Sequence, residues 1–214
     1  LAFSLILRPD RLPSKAYTRL TALGALATCT ALSERFHLEP QIKWPNDVLL
    51  EGRKLAGVLV ETVWQGEVLE AAVLGIGINI ARESVPPDDA LLFPAACLED
   101  TLGKRVDRWD VLRDVLCALL EWLPKLDSSD FLGAWDDRLA FRGQRVQVFK
   151  EGQVVIEGVL SSLMQDGSLL LRLPFGETTS VQAGEVHLRP VDVDGLQRWS
   201  EQNDKREDLS HLTE

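Results

Sequence analysis

Three short stretches concentrate the residue types that chemistry needs. The first is Lys43-Trp44-Pro45-Asn46-Asp47, a cation and an anion four residues apart around a proline. Pro45 biases Trp44 toward extended backbone. Asn46-Asp47 favours a turn whose side chains can bond backbone or a ligand. An isolated Asn-Asp pair reads first as a strand-ending turn beside a buried tryptophan. The second stretch is Arg53-Lys54-Leu55-Ala56-Gly57-Val58-Leu59. A lysine opening a strand can hold a phosphate or carboxylate. A glycine three residues later marks a bulge or a place where a ligand meets backbone. The third is Gly75-Ile76-Gly77-Ile78-Asn79. Two glycines inside an apolar β run cost stability and call for a reason. A dinucleotide fingerprint is excluded, because the third glycine position is Ile80 and no helix follows. Two readings remain. One is a strand free of side chains on which a base or ribose lies, with Asn79 supplying a donor and an acceptor. The other is tight packing against a helix of small residues.

The elements that must position these stretches follow from periodicity. Leu1–Arg8 reads as a short apolar strand stopped by Pro9 and Asp10. Ser14 is a candidate N-cap, and Ala16, Leu20, Leu23, Ala27 and Ala31 recur at helical spacing to about Phe36. Gly24, Ala27 and Ala31 give this helix a small face suited to packing on a sheet. Gln41–Trp44, Val48–Glu51, Lys54–Trp64 and Glu67–Ile80 then read as strands joined by Gly and Asn/Asp turns, an antiparallel meander. Ala81–Pro94 holds three prolines and reads as a flexible loop. A short helix is expected over Cys97–Leu102. A longer one is expected after Asp107, with Trp109, Leu112, Leu116, Leu119 and Leu123 on its buried face until Pro124. A last helix carries Phe131, Trp135 and Leu139. Past Arg142 the pattern changes to five short strands, Gln144–Phe149, Val154–Leu163, Ser168–Leu173, Thr178–Gln182 and Val186–Arg189, which suggest a small antiparallel barrel.

The expected organisation is therefore α+β. A mixed, mostly antiparallel sheet packed with helices spans residues 1–141, a barrel spans 142–190, and an acidic tail spans 191–214. From Asp192 onward the tail holds seven acidic and three basic residues. Leu196 and Trp199 are placed to dock one turn of it.

Composition removes several function classes. The chain has 214 residues, a net charge of −10 and 45% hydrophobic residues. That is ordinary globular content, and the acidic balance excludes broad, non-specific nucleic-acid binding. Cys29, Cys97 and Cys117 have no CxxC spacing, and His37, His187 and His211 do not cluster with them. Neither a disulfide framework nor a zinc site is expected. Each cysteine reads as a small buried apolar residue, and a reducing, cytoplasmic setting fits. No apolar run reaches the roughly 20 residues that span a bilayer.

Taken together, KWPNDVLLEGRKLAGVLVE, GIGIN and a C-terminal small barrel ending in AGEVHLR resemble the biotin protein ligases. The resemblance runs to about Pro190. It implies a class II synthetase-like, biotin–lipoate transferase fold followed by an SH3-like barrel. It implies synthesis of biotinyl-5′-AMP from biotin and ATP with Mg, then transfer of biotin to one lysine of a biotin carboxyl carrier protein. On this resemblance Lys54 sits between the biotin carboxylate and the α-phosphate. Gly57 and Leu59 line the biotin pocket. Lys43, Asn46 and Asp47 serve ATP, with Asp47 facing Mg. Gly75, Gly77 and Asn79 hold the adenylate. The loop Ala81–Pro94 matches an adenylate-ordering loop that moves before ligand binds. Glu185 and Arg189 match the end of the barrel that approaches the nucleotide. A homodimer is compatible with the resemblance; a nucleic-acid or membrane partner is not expected.

The resemblance also implies a GRGRxGR loop and a Ser-Thr biotin contact before the strand at Leu1. A chain that opens on Leu rather than Met is expected to enter the fold partway, so residues 1–214 alone should bind biotin weakly and turn over poorly. Two other readings are carried. One is a lipoate or octanoate ligase of the same superfamily, which shares the Asn-Asp turn and the lysine followed by glycine. The other is a non-catalytic remnant that binds a carrier protein or nucleotide only.

Overall fold

In the computed structural model, which describes residues 1–8, 19–85, 94–183 and 186–191, ten strands and four α-helices are found among the described residues. The chain divides into two compact units. One comprises Leu1–Ala140 with Gln165–Gly167, and the other Phe141–Met164 with the chain from Ser168 onward.

The first unit is built on a five-stranded sheet. Its strands are β1 (Ala2–Leu7), β2 (Gln41–Lys43), β3 (Asp47–Leu50), β4 (Arg53–Gln65) and β5 (Val68–Ile78). They are ordered β1-β5-β4-β3-β2, and every ladder is antiparallel. Parallel pairing is confined to the isolated bridges Ile42–Leu139 and Lys54–Ala95. The turns carry the backbone the sequence called for: Glu51 and Gly52 have φ of 51° and 72°, and Gly66 has φ of 61°. Positive φ at both central residues suits a tight hairpin between twisted strands.

Helix α1 (Leu20–Phe36) lies on one face of this sheet, α2 (Leu98–Leu102) is the short helix expected over Cys97–Leu102, and α3 (Arg108–Trp122) packs on the side of α1 turned away from the sheet. Because α1 is sandwiched, its residues from Ala22 to Leu32 are all buried. Its small face has a measurable purpose. A Cβ built on Gly24 would lie 2.8 Å from Val58, 3.1 Å from Leu74 and 3.3 Å from Ile76, so only glycine lets the helix sit this close. The α-helix begins at Leu20, with Arg19 at its N-cap and no side-chain cap; the expected cap Ser14 lies outside the described residues.

Asp107 caps α3 as expected, accepting from the Trp109 N–H at 2.8 Å. The buried face is rotated from the expected one, keeping Leu119 but leaving Leu112, Leu116 and Leu123 half-buried. Val111, Val115, Ala118 and Leu119 are buried, while Trp109 is 62% exposed. Both stripes have helical spacing, and packing against α1 selects the second. Trp122 Nε1 donates to Thr30 Oγ1 at 3.0 Å, and Arg35 of α1 pairs with Asp110 and Asp114 of α3. These contacts fix the helix rotation. Beyond a 3₁₀ turn at Leu123–Lys125, α4 (Ser129–Asp137) is capped by Ser128 and buries Phe131 and Trp135, with Leu139 buried just past its end.

The second unit holds β6 (Arg145–Lys150), β7 (Gln153–Leu163), β8 (Leu169–Arg172), β9 (Thr178–Val181) and β10 (Val186–Pro190). They form one antiparallel sheet in the order β10-β6-β7-β8-β9. Glu151 and Gly152, with φ of 52° and 78°, make the β6–β7 turn. Leu196 and Trp199 lie outside the described residues. No helix among the described residues is long and apolar enough to cross a membrane. Cys29 and Cys97 are buried, and burial pushes the Cys29 thiol up to about 12. Cys117 departs from expectation: it lies on the outward side of α3 and is exposed, because α3 turns the 111/115/118 stripe toward α1.

Candidate functional site

Register places the three sequence motifs side by side. Asp47 of β3 pairs with Gly57 of β4, Gly57 with Gly77 of β5, and Gly77 with Ala2 of β1. Two residues along, Leu59, Gly75 and Ser4 form the next row. Side chains alternate across a sheet. Leu74 and Ile76 therefore face Gly24 of α1, and Gly75 and Gly77 face the other way. This removes the packing explanation for the β5 glycines. A Cβ on Gly75 would find nothing nearer than Leu59 O at 3.6 Å, and one on Gly77 only Gly57 O at 4.0 Å. The protein's own atoms do not require glycine there.

What the glycines do is floor a cavity of about 550 Å³. It is lined by Ala2, Phe3, Ser4, Asn46, Gly57, Val58, Leu59, Gly75, Ile76 and Gly77. That is the size and apolar character of a small-molecule site. Leu59 stands 62% exposed over the floor. A large aliphatic side chain left in solvent beside a concave surface is suited to covering an apolar ligand.

Charge is concentrated at one end. Asp47 is only 8% exposed, and its Oδ1 lies 2.5 Å from Lys54 Nζ while its Oδ2 lies 3.5 Å from Lys43 Nζ. Oδ1 is buried with ion-pair contact but no hydrogen bond of proper geometry. One carboxylate thus holds two ammonium groups beside the cavity. A Cβ on Gly57 would only touch the pair, 3.4 Å from Lys54 Cε and 3.5 Å from Nζ, so the cluster itself does not demand glycine there. Such a cluster suits an incoming carboxylate or phosphate.

Backbone pairing holds Lys54 in place. Its N–H donates to Pro94 O at 2.7 Å, and its carbonyl accepts from Ala96 N at 2.9 Å. Asn79 Nδ2 donates to Ala96 O at 3.1 Å and to Lys54 O at 3.5 Å. Leu98 N and Glu99 N donate to the carbonyls of Asn79 and Ile80. Both ends of the Ala81–Pro94 loop are therefore pinned next to Lys54; its residues 86–93 lie outside the described residues. Asn46 Nδ2 donates to Val58 O at 3.1 Å, and Val58 N returns a bond to Asn46 O at 2.9 Å. Both asparagines thus direct amide N–H groups at backbone carbonyls, an outcome the motif alone did not reveal. Trp44 is buried and donates to Gly167 O at 3.0 Å, which anchors the start of the KWPND turn.

The structure brings Lys43, Asn46, Asp47, Lys54, Gly57, Leu59, Gly75 and Gly77 together around this cavity, and Asn79 behind it. Arg189 belongs to the second unit, where its guanidinium lies 5.0 Å from the Phe149 ring and burial lowers its pKa. Glu185 lies outside the described residues. Sequence reasoning missed the contribution of β1: Ala2 and Ser4 line the cavity on the same alternating face. The sequence shows only that Ser4 is the one hydroxyl in AFSLIL; its place opposite Gly75 needs the register.

The donor set also bears on magnesium. Among the described residues no three acidic, histidine or cysteine side chains group together as a protein-only cage. Mg²⁺ commonly takes one or two carboxylates and completes its shell with phosphates and water. Asp47, a buried carboxylate at the charged end, fits that role and no larger one.

Comparison with known proteins gives this arrangement a context. Residues 1–79 match the biotin/lipoate A/B protein ligase family. The chain is 32% identical over 194 residues to the biotin–[acetyl-CoA-carboxylase] ligase of Paracoccus denitrificans, covering 86% of this chain and 78% of that protein. It is 35% identical over 113 residues to the bifunctional ligase/repressor BirA of Bacillus subtilis, a match that spans only 34% of that protein's length. Among solved structures it is similar to the biotin protein ligase of Aquifex aeolicus in complex with biotin and ATP, with a TM-score of 0.75, 29% identity, and coverage of 89% of this chain and 78% of that one.

Proposed function

The chain belongs to the biotin protein ligase family, and from that premise we propose that it activates biotin with ATP and passes the biotinyl group to a lysine of a carboxylase carrier domain. In the first step a biotin carboxylate oxygen attacks the α-phosphorus of ATP and pyrophosphate leaves. In the second the carrier amine attacks the acyl carbon, the C–N bond forms and AMP leaves. The observation that carries this reading is the pairing of a glycine-floored apolar cavity with the Asp47–Lys54–Lys43 charge cluster at one end.

Each residue has a part that its position supports. Gly57, Gly75 and Gly77 let the ligand lie against backbone, and Leu59 covers its apolar portion. Lys54 exchanges its contact with Asp47 for the ligand carboxylate and the α-phosphate, stabilising the charge that builds between them. This is catalysis by positioning and preorganised charge. Asp47 and Lys43 serve the phosphate side. Magnesium, when bound with ATP, neutralises phosphate charge, and Asp47 is the residue to hold it. Asn79 keeps the loop ends and the Lys54 backbone in register, and by the family resemblance it serves the adenylate. Arg189, by the family resemblance, serves the nucleotide.

We read the second unit as the SH3-like barrel that follows the catalytic region in this family. The partner is a biotin carboxyl carrier protein, the setting cytoplasmic, and self-association as a homodimer is open to test by sedimentation. The test of the reaction is biotin-dependent ATP–pyrophosphate exchange by the full-length protein. Exchange driven by biotin and not by lipoate is expected. Exchange driven by lipoate would assign the site to the other branch of the superfamily. No exchange with either acid would leave carrier or nucleotide binding as the function.

A further inference from the structure

The turn between β2 and β3 is Trp44-Pro45-Asn46, and at its base Lys43 and Asp47 face each other across the ladder. Asn46 ties one end of the turn to β4 through Val58. Trp44 ties the other end to a segment outside the sheet. Its side chain is 1% exposed, and Nε1 donates to Gly167 O at 3.0 Å, a bond between residues 123 apart in the chain. A buried indole N–H needs such a partner, and the packed ring fixes the direction of the bond.

The acceptor is itself held firmly. Gln165–Gly167 belongs to the first unit, although the chain on both sides of it builds the second. Arg19, at the start of α1, donates from Nη2 to Gln165 O at 2.6 Å and from Nη1 to Leu126 O at 2.9 Å. Gly167 has φ of 84°, and a Cβ on it would lie 3.1 Å from the buried Trp135 ring. Glycine is required there for its backbone and for its fit. Arg19, Trp44 and Trp135 thus grip a segment that lines no part of the cavity. So specific a grip calls for a reason.

Lys43 supplies that reason. It directly precedes Trp44, its Nζ lies 3.5 Å from Asp47 Oδ2, and its side chain is only 12% exposed. A side chain that buried takes its direction from its backbone, and the indole bond fixes the backbone beside it. We propose that Trp44 is a positioning residue: pinned to Gly167, it sets Lys43 against Asp47 and so preorganises the phosphate end of the charge cluster. The carboxylate end is held separately, by the backbone bonds of Lys54 to Pro94 and Ala96. This rests on the proposed function, in which Lys43 serves ATP. Preorganised charge loses its effect when the groups supporting it loosen.

The test is ATP–pyrophosphate exchange by the full-length protein as wild type, Trp44→Phe, Lys43→Ala and the double variant, with biotin affinity by calorimetry and thermal melting alongside. Trp44→Phe keeps a ring and removes the donor. It should raise KM for ATP about threefold to tenfold and leave the Kd for biotin within about twofold of wild type. A role exerted through Lys43 makes the two changes non-additive, so Trp44→Phe should add less than about twofold once Lys43 is alanine. A merely structural role would weaken both substrates alike, or act equally in either background, and either result would overturn the proposal. Arg19→Lys loosens Gln165 without touching the turn and should raise KM for ATP by about twofold to threefold. If Trp44→Phe does not fold, an unchanged KM for ATP in folded Arg19→Lys overturns the proposal. Absence of biotin-dependent exchange in wild type would overturn the proposed function, and this role with it.

Discussion

The two faces of the central sheet use the same residue for opposite ends. On the helix-covered face, Gly24 is needed because the protein itself fills the space: a Cβ would collide with Val58 at 2.8 Å. On the open face, Gly75 and Gly77 are surrounded by nothing closer than 3.6 Å. A glycine whose missing side chain is already replaced by protein atoms is a packing device. A glycine whose missing side chain leaves a cavity is a binding device. The pattern in sequence does not separate these cases, but one distance in the structure does.

The distinction is easiest to break at the open face. Gly75→Ala and Gly77→Ala should leave stability within about 0.5 kcal/mol of wild type, or raise it slightly, since alanine suits a strand better than glycine. The same methyl should push into a bound ligand and cost about 1–3 kcal/mol of affinity, roughly tenfold to a hundredfold. Calorimetry with biotin, alongside chemical denaturation, checks both halves. Loss of stability equal to the loss of binding would erase the contrast.

The reverse result is expected on the covered face. Gly24→Ala gains helix propensity of about 1 kcal/mol but overpacks a tight contact. With an overpacking cost of about 2–3 kcal/mol at a 2.8 Å contact, a net destabilisation of about 1–2 kcal/mol follows. The denaturation midpoint should fall, while biotin affinity of the folded protein stays near wild type. An unchanged midpoint would show that α1 can shift away from the sheet at little cost.

The smallest effect concerns the contact that holds α1 against α3. Hydrogen bonding from Arg35 holds the Asp114 carboxyl below the usual carboxylate range. A carboxyl depressed in the folded state stabilises the fold above its ordinary pKa of about 3.9 and loses that contribution as pH falls through the lowered value. Stability should therefore be flat from neutral pH to about 4 and drop more steeply below it in wild type than in Asp114→Asn. Parallel acid titrations followed by circular dichroism check this, and overlapping curves would remove Asp114 from the account.

Much of this was legible in the sequence. The meander, its Gly turns and the five strands past residue 141 follow from alternation and turn chemistry. KWPND and RKLAG became neighbours because a two-stranded ladder joins them. Other features depended on tertiary packing. The face of α3 was ambiguous because 109/112/116 and 111/115/118 have the same period, and only α1 chose between them. The amides of Asn46 and Asn79 looked ready for a ligand, yet both direct N–H groups at backbone carbonyls. Ser4 passed unnoticed because a serine in a short apolar strand carries no signal until its register opposite Gly75 is known.

The central claim is that Lys54 acts on a ligand lying over the glycine floor. Biotin-dependent ATP–pyrophosphate exchange by full-length Lys54→Ala tests it most directly. Loss of one preorganised charge at the reacting atoms should reduce the rate about 10²–10³-fold with the melting temperature close to wild type. Exchange within twofold of wild type in a folded Lys54→Ala variant would contradict it.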